Sequence, residues 1–160
     1  MNSLIADEIR EITERYWQAG KMIQHIGTEN LPSPKHDRLP WVKHECMRAK
    51  LIEITPGKIG ELVIQFPPEG KEDLEMHSHP ISDRIITVLE GGGVFLAQNG
   101  EETIESELIP GDVVYMPRGI FHTFIGGKDP LLVHAIHNPW VPFEHPLNLV
   151  YPDGTTTRMK

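Results

Sequence analysis

HSHPISDRIITVLEG, residues 77–91, places two histidines one residue apart, followed by a β-branched, apolar run that closes on glycine. On an extended chain alternate side chains share a face, so His77 and His79 point the same way, and parity adds Glu75 to that face. Two imidazoles on adjacent rungs can grip one metal ion. The run that follows, 84–90, reads as a strand rich in Ile and Val. Its first residue is Arg84, a permanent cation facing back toward the histidines where a metal site would be expected to hold a ligand.

The chain on both sides has the same texture. Short runs at 46–54, 60–66, 73–79, 84–90, 93–98, 101–108, 112–116, 120–125 and 131–137 alternate with turn signals such as Pro67-Pro68, Gly91-Gly92-Gly93, Pro110-Gly111 and Gly126-Gly127. Asn99-Gly100 between two runs is a hairpin turn, because both residues tolerate the positive φ that such a turn requires. Closely spaced short strands of this kind predict an all-β sandwich or barrel. Before them, Ile5, Ile9, Ile12, Tyr16, Ala19, Ile23 and Ile26 recur at alternating steps of four and three, which predicts an amphipathic helix within residues 1–28. Ser3 can cap its start and Gly27 can end it. The stripe suits packing on its own domain or, as a second reading, a contact between subunits. NLPSPKHDRLP, residues 30–40, holds three prolines and is unsuited to helix or central strand, so residues 29–45 read as a tether. The barrel is expected over 46–140, with 141–160 as a C-terminal tail.

A second constellation lies at 111–122, GDVVYMPRGIFH, where His122 opens a strand after a rigid Pro-x-Gly turn. With it the chain resembles the cupin superfamily, whose motifs are G-x5-H-x-H-x3,4-E-x6-G and G-x5-P-x-G-x2-H-x3-N. His77, His79 and Gly91 meet the first, with Gly70 one residue further upstream than the pattern asks. Gly111, Pro117, Gly119 and His122 meet the second. Two positions depart: Arg84 stands where the first motif has Glu, and Gly126 where the second has Asn. The resemblance implies a double-stranded β-helix (jelly-roll) barrel, with the added N-terminal helix outside it, and gives metal-ligand roles to His77, His79 and His122. Neutral imidazoles suit a divalent ion, Fe(II) first, with Zn, Ni, Mn or Cu as alternatives. Three nitrogens leave coordination positions open, as catalysis requires. The opposing reading is three hydrogen-bonded core histidines without metal.

Arg84 has three readings. In the first, Asp83 takes the ligand position by a one-residue slip, which would also turn Ile86 and Val88 to the other face. In the second, the arginine replaces the metal, with Glu75 as the acid that parity offers it. In the third, it stands beside a three-histidine centre and offers its planar fork to a carboxylate or another anion. The third reading fits best, because such a centre carries no ligand carboxylate to offset the ion's charge. Glu75 is then a weak candidate for acid/base catalysis. His134 and His137 fall on opposite faces of their strand, so at most one points inward. His25, His36, His44 and His145 read as surface or loop residues, while Trp140 and Phe143 are candidates to cover the barrel.

Among 160 residues the net charge is -8, which argues against nucleic acid and anionic membrane as partners. A single cysteine, Cys46, excludes an internal disulfide, and no apolar stretch or signal-like start is visible, so a cytoplasmic protein is expected. The expected function is an Fe(II) dioxygenase-like enzyme acting on a small anionic molecule. A non-catalytic binding or sensing module and a small-molecule isomerase are the alternatives. Exposed strand edges and the apolar stripe predict a homodimer.

Overall fold

The computed structural model describes residues 23–25, 27, 28, 39–55, 57–69 and 74–156. Ten strands make up its regular structure: β1 (Ile23–His25), β2 (Val42–His44), β3 (Met47–Ile54), β4 (Gly60–Phe66), β5 (Asp83–Glu90), β6 (Gly93–Asn99), β7 (Glu102–Leu108), β8 (Asp112–Met116), β9 (Phe121–Gly126) and β10 (Leu131–Asn138). Seven form an antiparallel sheet in the order β1-β8-β5-β10-β4-β3-β2, which faces a three-stranded sheet ordered β7-β6-β9. Consecutive strands repeatedly cross to the other sheet, and this interleaving makes the jelly roll.

Period-two alternation explains which side chains fill the space between the sheets. Leu62, Ile64 and Phe66 of β4, Ile86 and Val88 of β5, and Val133 and Ala135 of β10 point inward against Phe95, Ala97 and Phe124 of the small sheet. Phe95 packs against Phe124 at a tilt of 43°, with ring centroids 5.1 Å apart. The Asn99-Gly100 hairpin forms as expected between β6 and β7, with Gly100 at φ 63°.

Gly126, the second motif's departure, has a steric cause. A Cβ at this position would lie 2.0 Å from the carbonyl oxygen of Pro67, so the backbone there would have to shift. Asparagine cannot be accommodated while the 67–68 segment runs so close.

Three expectations change. Residues 23–25, assigned to the end of the N-terminal helix, instead form β1, whose Ile23 lies opposite Val114 of β8. The rest of that helix, residues 1–22, lies outside the described residues. Val42–His44, placed in the tether, is the edge strand β2, paired with β3. The strand expected at 73–79 is absent: residues 74–76 run irregularly, and only isolated bridges at His77 and Ser78 tie the segment down. Among the described residues no helix is long and apolar enough to cross a membrane.

Candidate metal centre

His77, His79 and His122 converge at one end of the barrel. Their ligand nitrogens lie within 4.8 Å of one another, and all three residues are buried. Two of them face each other across the sheets: His77 N–H donates to the His122 carbonyl at 3.0 Å, and His122 N–H returns a bond to the His77 carbonyl at 2.8 Å. His79 is fixed from another side, since its carbonyl accepts the N–H of Gly119 at 3.0 Å. Gly119 sits at φ 84°, a left-handed conformation that suits glycine, so the Pro-x-Gly turn positions a second ligand besides His122.

Each imidazole is held through Nδ1 by a backbone carbonyl: His77 by Glu75 at 2.7 Å, His79 by Asn148 at 2.6 Å and His122 by Ile120 at 2.9 Å. A carbonyl only accepts, so Nδ1 carries the proton in all three rings and Nε2 keeps its lone pair. That tautomer is the one an Nε2-bound ion needs. Burial keeps the rings neutral, drawing His77 down to about 4 and His79 and His122 well below the ordinary value. The donor set therefore fits a divalent metal with nitrogen preference, and its three nitrogens leave coordination positions open.

Arg84 lines the same cavity and is 5% exposed. Its Nε donates to Ser82 Oγ at 3.1 Å, Nη1 to His137 Nε2 at 3.0 Å and Nη2 to Asn148 Oδ1 at 3.2 Å. All three acceptors are neutral. Burial lowers the guanidinium's pKa to about 9, which leaves it charged at neutral pH. Asp83, the alternative ligand, is turned away: its carboxylate accepts Arg118 N at 2.8 Å and Arg118 Nη2 at 3.0 Å. The register that places Arg84 inward and Asp83 outward is therefore the one adopted.

Glu75 does not reach this face. Its side chain is exposed, and it serves the site through its backbone carbonyl alone. The parity argument presumed a strand, and the chain around Glu75 is not one. His137 is the inward member of its pair, stacked on Trp140 at 5.5 Å, while His134, also buried, meets Glu61 at 2.7 Å on the opposite face of the sheet. His25 and His145 are exposed, as expected, and His36 lies outside the described residues.

His44, expected at the surface or in a loop, is instead a cavity residue, and Asn148 escaped the sequence reading. His44 stacks on Phe143 with centroids 4.2 Å apart. Asn148, from the expected tail, accepts from His79 and Arg84 and donates through Nδ2 to His44 Nε2 at 3.2 Å. Val150 pairs with Ser78 in both directions, which fixes this C-terminal segment over the barrel mouth. The cavity is about 40 Å³, with Ile64, Phe66, Ile86 and Phe124 forming its apolar wall.

The Cupin domain family model matches residues 62–137, the span that carries both histidine motifs and most of the barrel. The chain belongs to the cupin superfamily. An acireductone dioxygenase of Branchiostoma floridae is 29% identical to this cupin over 119 residues, which are 74% of this chain and 59% of that protein. The cupin thus spans well under two thirds of that relative's length. Solved structures share its fold. KdgF from Halomonas sp. superposes with a TM-score of 0.53 at 22% identity, over 66% of this chain and 93% of that one. The capsular polysaccharide assembling protein CapF from Staphylococcus aureus gives 0.59 at 20% identity, over 76% and 34%. Hydroxypropylphosphonic acid epoxidase from S. wedmorenis gives 0.54 at 18%, over 71% and 62%.

Proposed function

We propose that this cupin is a metal-dependent, Fe(II) dioxygenase-like enzyme acting on a small anionic substrate. One observation carries the reading: three neutral imidazoles with fixed Nε2 lone pairs share a cavity with a buried guanidinium that has only neutral partners. The similarity to an acireductone dioxygenase supports the oxygenase class. When bound, the ion supplies Lewis acidity and, if it is iron, the one-electron chemistry that dioxygen requires.

The chain's own residues do the rest. Arg84 binds the substrate's carboxylate or similar group through its planar fork and sets its orientation toward the histidines. Ser82, His137 and Asn148 keep that fork in place. The apolar wall, with Ile64, Phe66, Ile86 and Phe124, disfavours water and suits a small substrate. Glu75 acts through its backbone carbonyl, which holds the His77 imidazole. The alternative is a non-catalytic site that holds metal and anion without turnover.

Elemental analysis of tag-free protein prepared without chelator should give about one divalent ion per chain, lost in His77→Ala, His79→Ala and His122→Ala. Oxygen uptake by the Fe(II)-loaded protein should then appear with a short carboxylate substrate. Tight anion binding with no uptake across a broad set of small acids would favour the binding module. Protein that takes up no divalent ion would refute both.

A further inference from the structure

The cavity is out of electrical balance. Arg84 is a buried cation, and the residues lining the cavity with it include no carboxylate among those described. A buried charge without a counter-ion is strongly disfavoured, because the interior returns little of the solvation it removes. His137 repeats the pattern. Its Nε2 accepts from Arg84, so the proton lies on Nδ1, and that buried atom has no hydrogen-bond partner. Both groups are donors that lack an anionic acceptor.

A divalent ion makes the imbalance larger. The three histidines are neutral, and Arg84 occupies the place where the family motif has a glutamate, so one negative charge is lost and one positive charge gained. Metal and guanidinium repel each other across a small apolar cavity. A planar monoanion between them would relieve that repulsion and give the guanidinium an anionic acceptor.

We propose that the divalent ion and a small carboxylate bind this site as a coupled pair, each strengthening the other, with Arg84 as the residue that couples them. The inference rests on the reading that the three histidines hold a metal. Linkage makes the coupling reciprocal: the factor by which the anion tightens the metal is the factor by which the metal tightens the anion. Asn148 positions the coupling, since one residue accepts from both the metal-ligand imidazole and the guanidinium.

The test is calorimetric and needs no turnover. Ni(II) is titrated into the metal-free full chain in a non-coordinating buffer, alone, with saturating acetate, and with chloride at the same ionic strength. Acetate should tighten Ni(II) by about 10-fold or more, within the usual range of coupling between sites. Acetate titrated with and without Ni(II) should return the same factor. Arg84→Gln should keep Ni(II) and bring the factor close to one. Asn148→Asp sets a carboxylate against the guanidinium, so it should bind Ni(II) tightly without acetate and show no further gain.

A wild-type factor within twofold of one overturns the coupling while leaving the metal reading intact. An equal factor with chloride overturns the carboxylate class. Coupling that survives in Arg84→Gln removes that residue from the role. Wild-type protein that binds no Ni(II) with or without acetate brings down the metal reading itself. Should neither variant fold, the two wild-type titrations decide.

Discussion

Between pH 7.5 and pH 6.0 the metal affinity of this cupin should hardly change, and the reason lies in the burial of its ligands. Burial is the largest influence on His77, whose pKa falls to about 4 although the Glu75 carbonyl opposes the shift. His79 and His122 are lowered well below 6.5, first by burial and then by neighbouring positive charge. A depressed pKa leaves the neutral, ligating form in place as pH falls, until the folded pKa is approached. Three ordinary imidazoles of pKa about 6.5 would each be about three-quarters protonated at pH 6.0, and proton competition would weaken a three-nitrogen site by roughly 50-fold from pH 7.5. With its pKa near 4, His77 would be about 1% protonated at pH 6.0, and burial lowers His79 and His122 as well, so the change should stay well under tenfold. Ni(II) calorimetry at the two pH values, at fixed acetate concentration, measures the affinity directly. Repeating it in buffers of different ionisation enthalpy counts the protons released, with near zero expected at pH 6.0 against about two for ordinary imidazoles. A fall of tenfold or more, or release of about two protons, would refute the argument from burial.

Three further outcomes are expected. Arg84→Glu should restore the four-ligand set of the family motif, tightening metal by at least about tenfold, because ligation and the reversed charge act in the same direction, and abolishing acetate binding; unchanged Ni(II) affinity would count against Arg84 lying beside the ion. Gly126→Asn should cost about 1–3 kcal/mol through its clash with the Pro67 carbonyl, visible as a Tm several degrees lower, and an unchanged Tm would show that the 67–68 segment yields freely. Sedimentation equilibrium should give a homodimer at micromolar concentration, consistent with the short edge strands β1 and β2 and the exposed Val42; a monomer would dispose of the subunit contact.

Most of the barrel was legible because its signals are local. Alternating apolar residues and turn glycines mark β3 to β10 to within a residue or two, since burial between two sheets imposes the period directly. The histidine trio was legible for a similar reason: a two-residue spacing and a Pro-x-Gly turn carry their geometry with them. Arg84 was placed correctly by parity on β5, a strand that does form. Glu75 was misplaced by the same rule, because residues 74–76 lie in an irregular segment that His77 and Ser78 tie to two separate partners, His122 and Val150. Edge strands β1 and β2 are three residues long, too short for a periodic signal, and depend on main-chain pairing with β8 and β3.

What the sequence by itself determined is therefore the fold class, the three nitrogens and the inward cation. Which neutral groups surround that cation was decided only by tertiary structure. Ser82 is two residues from Arg84, but His137 and Asn148 are 53 and 64 residues away, and His44 reaches Asn148 across 104. Each is a lone polar residue whose own neighbourhood carries no pattern. Closure of the jelly roll brings β10, β2 and the C-terminal segment to one end of the barrel. Polar side chains buried there must pair with one another because water no longer reaches them.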